Sequence, residues 1–101
     1  MSRRDVIVEG PLGRVELTSS ALASLVVRAA ESVAGVRVRR PRRGLEIAVD
    51  GSRARVEIGV VGPVDGVLPE VGEQVQRAIA TALHASVSLE AEVDVAIEEL
   101  A

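Results

Sequence analysis

The side chains of this chain that could do chemistry gather in three places. The first is Arg37, Arg39, Arg40, Arg42 and Arg43, five guanidiniums within seven residues. Guanidinium pairs bidentately with phosphate and carboxylate, so the run is the candidate contact for a phospholipid headgroup, a nucleic-acid phosphate or an acidic partner. A solvated loop carries the same pattern, and the cluster by itself does not choose between the two. The second place is Glu90, Glu92, Asp94 and Glu98, spaced so that a strand would set them on one polar face. Carboxylates two apart on an exposed strand stand in water and lack a pocket, so a solvated face, or an edge that repels other strands, is expected rather than acid–base work. The third is His84, the one histidine, near the end of a predicted helix whose dipole favours a cation there.

Other chemistry is excluded by what is missing. The chain has no cysteine, which removes disulfides, thiolate catalysis and zinc–thiolate sites. One histidine without ligand spacing around it does not make a metal site. Ser19 and Ser20 belong to a helix start with no base nearby, so neither reads as a nucleophile. The stretches Gly10-Pro11-Leu12-Gly13 and Gly62-Pro63-Val64-Asp65-Gly66 lack the Lys-Ser/Thr ending and the glycine spacing of phosphate loops, and read as turns. No catalytic residue, cofactor or metal is implied.

At 101 residues the chain is one domain, spanning 1–101, and buries only about 60 to 68% of its unfolded surface. Its interior must be assembled from 19 valines, 14 alanines, nine leucines and five isoleucines, because there is no Phe, Trp or Tyr. Small aliphatic residues contribute less per position than aromatic anchors, so a homo-oligomer is expected. The absence of aromatics also counts against single-stranded nucleic acid, whose readers stack bases on such rings, and no nucleic-acid partner is expected. Net charge is −3; with five positive charges in the arginine cluster, the remainder carries −8. Val6, Ile7 and Val8 are too few for a signal peptide, and no apolar run approaches the roughly 20 residues of a membrane span. A cytoplasmic protein is the expectation.

The elements that must position these groups follow from periodicity. Residues 6–9 and 14–17 predict a hairpin. Thr18 stands where an N-cap belongs, and Leu22, Leu25, Val26, Ala29, Ala30 and Val33 make an apolar stripe over a helix from Ser19 to Ala34, with Gly35 as its left-handed stop. Leu45, Ile47 and Val49, then Ala54, Val56, Ile58 and Val60, alternate with polar residues on either side of an Asp50-Gly51 turn, which is a second hairpin. A second helix runs from about Pro69 to Leu83, burying Leu68, Val71, Val75, Ile79, Ala82 and Leu83. A long strand then alternates Val87, Leu89, Ala91, Val93, Val95 and Ile97. The prediction is an α+β domain in the order strand, helix, strand, strand, helix, strand, with two helices packed on one face of a mainly antiparallel sheet.

Four motifs carry a family resemblance across nearly the whole chain: Gly13-Arg14-Val15-Glu16-Leu17-Thr18, Glu31-Ser32-Val33-Ala34-Gly35-Val36, Leu68-Pro69-Glu70-Val71-Gly72-Glu73-Gln74-Val75-Gln76 and Val93-Asp94-Val95-Ala96-Ile97. In order and spacing they resemble the alkaline shock protein family of small bacterial envelope stress response proteins. One departure is Val61-Gly62-Pro63, where the family commonly has a tyrosine. The resemblance implies a non-enzymatic interaction and assembly module that self-associates and works near the cytoplasmic face of the membrane, through a membrane-anchored protein partner or an anionic lipid surface. It implies no catalytic residues. The competing reading is a small nucleic-acid-binding or ligand-binding regulatory domain using the Arg37–Arg43 loop.

Overall fold

The computed structural model describes the backbone of residues 6–10, 13–38, 44–63 and 67–100, and the side chains of residues 18–38, 44–63 and 67–97. Its elements are β1 (Val6–Gly10), β2 (Gly13–Leu17), α1 (Ser19–Glu31), β3 (Arg37–Val38), β4 (Glu46–Asp50), β5 (Arg53–Gly62), α2 (Leu68–Val87) and β6 (Glu90–Leu100). This is the α+β architecture that the periodicity predicts, with β1 and β3 added to the six-element order. Strands β1 and β2 pair antiparallel from Val6↔Leu17 to Gly10↔Gly13 and form a two-stranded sheet of their own. Pro11 and Leu12 of the predicted turn lie outside the described residues.

The main sheet is organised around β5. Along one side it pairs antiparallel with β4 through its first half and with β3 near its end. Along the other side β6 pairs parallel to it, from Arg53↔Glu90 to Gly62↔Leu100, with a register shift at Val60/Val61. The parallel pairing follows from the helix between these strands: after β5 the chain must return to the same end of the sheet before β6 can begin, and α2 is that return. Mainly antiparallel pairing is therefore observed, with one parallel exception.

Both helices cover one face of this sheet. Leu22, Val26, Val27 and Ala30 of α1 and Val71, Val75, Ile79, Leu83 and Val87 of α2 are buried against Ala54, Val56, Ile58 and Val60 of β5, with Val38 and Val93 from the flanking strands. Every fully buried large side chain is Val, Leu or Ile, and among the described residues no polar or charged residue is buried. Such a core packs by shape alone, with no polar network to specify it.

Several local expectations are met and several are corrected. Thr18 caps α1, its Oγ1 accepting from the Ala21 N–H at 3.0 Å. The helix ends at Glu31 rather than Ala34, with Ser32 as its C-cap, where the Ser32 hydroxyl donates to the Ala29 carbonyl at 2.6 Å; this local bond competes with continuation of the helix. Gly35 holds the expected positive φ, +80°. Helix α2 extends one turn past Leu83 to Val87, and Ser88, at φ 58° and ψ 34°, closes it by donating from its N–H to the His84 carbonyl. Val87 thus belongs to the helix, Leu89 to the connection and only Ala91 onward of the predicted run to the strand. Leu68, predicted to be buried, is 40% exposed beside Val67 at 58%; at the first position of α2 it overhangs the core. No helix among the described residues is long and apolar enough to cross a membrane.

Candidate functional site

The face of the sheet that the helices leave uncovered carries the charge. Cross-strand register sets Glu46, Ala48 and Asp50 of β4 beside Glu57, Arg55 and Arg53 of β5, and these in turn beside Asp94, Glu92 and Glu90 of β6. All eight charged side chains are exposed, and six carboxylates against two guanidiniums leave this face with four negative charges. Arg55 Nη2 approaches Asp94 Oδ2 at 3.6 Å, both side chains being about 60% exposed. An ion pair so wet contributes about 0 to 1 kcal/mol, so the hydrophobic packing beneath this face, and not its charges, holds the strands in place. At one end Asp50, Arg53, Arg55, Glu90 and Glu92 surround a shallow depression floored by Ala48.

The carboxylates Glu90, Glu92 and Asp94 therefore stand where the strand period predicts, while the side chain of Glu98 lies outside the described residues. Of the arginine cluster, Arg37 is exposed in β3 opposite Val61. Next to it, the Val38 N–H donates to Glu31 Oε2 at 2.9 Å, tying the end of α1 to this strand. Arg39, Arg40, Arg42 and Arg43 lie outside the described residues. A strand within this basic stretch was not predicted, because Arg-Val-Arg is too short for periodicity to register. His84 is exposed in the last turn of α2.

Nothing among the described residues assembles into a catalytic or metal centre. Among the described residues no three His, Asp or Glu side chains are grouped to hold a metal ion, and no buried side-chain polar atom lacks a partner. What the sequence reading missed is Arg53 and Arg55 as a basic row between two acidic ones. The Asp50-Gly51 turn could have revealed their β4 neighbours, but their β6 neighbours depend on the crossover through α2.

The fold is similar to that of a solved structure. One similar chain is described as the MamM CTD, variant H264E, in a zinc form; it superposes with a TM-score of 0.51 at 21% identity, over 79% of this chain and 84% of that one. The likeness establishes a shared fold. No family model matches the chain and no curated protein matches it.

Proposed function

We propose that this protein is a non-enzymatic interaction and assembly module, a homo-oligomer acting near the cytoplasmic face of the membrane in the envelope stress response. The observation that carries the reading is the division of labour between the two faces of the sheet. One is sealed by an all-aliphatic core with no buried polar group among the described residues; the other is an open charged surface built on a rigid strand register. Enzymes gather perturbed or converging polar groups in a concave site, and such a constellation is not found among the described residues. An open face of charge −4 and a sequence segment of five arginines suit contacts with other macromolecules. The stress and membrane parts of the proposal rest on the four motifs that resemble those of alkaline shock proteins.

The test is the native mass of the particle by light scattering, with and without vesicles containing anionic lipid. At micromolar concentration the expected result is at least a dimer, and co-migration with anionic but not neutral vesicles. A mass that stays near 10.6 kDa at every concentration, together with no vesicle binding, overturns the proposal.

A further inference from the structure

The sheet ends in a strand edge that the described residues cover only in part. The Glu90 N–H donates to the Ser52 carbonyl at 2.8 Å, which sets the phase of the parallel ladder. Glu90, Glu92, Asp94 and Ala96 turn their peptide groups toward β5, and Ala91, Val93, Val95 and Ile97 turn theirs outward. The outward carbonyl of Val93 accepts from Gln76 Nε2 at 3.0 Å, so α2 caps the edge at that point. Beyond the cap, β6 pairs with no strand other than β5 among the described residues, and there the outward peptide groups of Val95 and Ile97 face no partner strand.

The surroundings of this uncapped stretch are chemically two-sided. Helix α2 runs back along β6, and from Gln76 to Leu68 it advances about 12 Å, nearly the 13 Å or so that β6 covers from Val93 to Ile97. The exposed Val67 and Leu68 are thus carried toward the Ile97 end, on the side where Val95 and Ile97 are themselves half-buried. On the other side of the strand stand the exposed carboxylates Glu92 and Asp94. An open edge with an apolar lip on one side and an acidic row on the other is matched by a strand whose residues alternate in the same way.

We propose that the edge of β6 at Val95 and Ile97 is a strand-addition site for an extended segment of a partner protein, alternating apolar and basic residues. The inference deepens the reading of this protein as an interaction module by naming its partner's chemistry. Main-chain hydrogen bonds to Val95 and Ile97 supply the pairing. Apolar residues of the segment cover Val67 and Leu68, and its basic residues meet Glu92 and Asp94. A second copy of this chain is the poorer occupant on two grounds. Pairing β6 with its own two-fold mate would bring two acidic rows onto one face, where opposed like charges destabilise a strand pair. Among the described residues the segments that alternate apolar and basic positions, Val36-Arg37-Val38 and Arg53-Ala54-Arg55, are committed elsewhere, since Val36, Val38 and Ala54 are each only 4% exposed in the core.

The experiment titrates the whole protein, in 0.1 M salt, with labelled nine-residue peptides: alternating Val and Arg, alternating Val and Glu, and a block-ordered peptide of the Val–Arg composition. Anisotropy reads affinity, and amide exchange by NMR reads the edge. The Val–Arg peptide is expected to bind at least tenfold tighter than the other two and to protect the Val95 and Ile97 amides. The double variant Glu92→Arg/Asp94→Arg, entirely at exposed positions, should reverse the preference to the Val–Glu peptide. Val95→Pro, which removes an outward N–H that the β5 ladder does not use, should lose at least tenfold in affinity while β5 amides stay protected. The proposal is overturned if no peptide binds, if the block-ordered peptide binds as well, if the charge-reversed variant keeps its preference, or if Val95 and Ile97 exchange freely in the complex. It is equally overturned if Val95→Pro lowers the native mass, which would give the edge to a second copy. Each of these failures leaves the particle-mass and vesicle tests of the module reading untouched.

Discussion

Gly35 shows how much a single position can hold. Its φ of +80° places it in the left-handed region, and a Cβ built there would stand 2.7 Å from the Pro63 Cβ. The first constraint is legible in the sequence as a glycine after an apolar helical stripe; the second is not, because Pro63 lies 28 positions away. Gly35→Ala is expected to destabilise the fold by roughly 1–3 kcal/mol, from left-handed strain plus displacement of the Gly62-Pro63 segment, and urea unfolding measures it. Thr18→Ala should cost about 1 kcal/mol through the lost cap on the Ala21 N–H, with Thr18→Ser restoring most of it. His84 makes the opposite case. It is exposed and joins no metal group among the described residues, so His84→Ala should leave stability within about 0.5 kcal/mol and leave partner or vesicle binding intact. A variant that folds but no longer binds would assign that histidine a role in contact.

At the scale of elements, the informative error is at the junction of α2 and β6. Val71, Val75, Ile79, Leu83 and Val87 recur every four residues, and a spacing of four satisfies both the helical stripe and, over the short tail from Val87 through Leu89 to Ala91, the strand alternation. Only the left-handed Ser88 decides where one period yields to the other, and nothing about a serine advertises that conformation. The same stripe makes α2 the element on which the fold depends most. Ile79 and Leu83 are fully buried beneath the sheet, and Leu83→Ala should destabilise by about 2–5 kcal/mol, the spread reflecting how far neighbouring valines relax into the gap. Gln76→Ala, by contrast, should cost only about 0.5–1.5 kcal/mol for its bond to the Val93 carbonyl, and should accelerate hydrogen exchange along the outer half of β6.

For the whole molecule the relevant quantity is the separation of charge. The sequence from Arg37 to Arg43 carries five arginines, while the open face of the sheet carries six carboxylates against two guanidiniums. Long-range attraction between such regions on neighbouring molecules, or to an anionic membrane, must weaken with salt as the screening length falls from about 10 Å at 0.1 M to about 3 Å at 1 M. Changing Arg39, Arg40, Arg42 and Arg43 together to Ser separates the two destinations: loss of vesicle binding with assembly intact points to lipid, and loss of assembly without lipid points to a neighbouring subunit. A single substitution would be lost in the 0 to 1 kcal/mol or so that an exposed pair contributes. If the fourfold variant assembles and binds every partner at 0.1 M salt, the cluster is a solvated connection.

Periodicity and turn chemistry determined by themselves that this chain is an α+β domain with two amphipathic helices, an Asp50-Gly51 hairpin and a last strand polar on one side. Each of those is a local property, written within a dozen residues and enforced by burial of alternate or every-fourth side chains. Composition likewise determined that the core would be aliphatic and free of thiol chemistry. The tertiary structure alone decided that β6 runs parallel to β5, that Arg53 and Arg55 lie between two acidic rows, that Leu68 overhangs the core and that α2 reaches the outer edge of β6 at Val93. These depend on which strand becomes whose neighbour. That choice is made by packing helices over the sheet across separations of 30 residues and more, a distance at which no local pattern carries information.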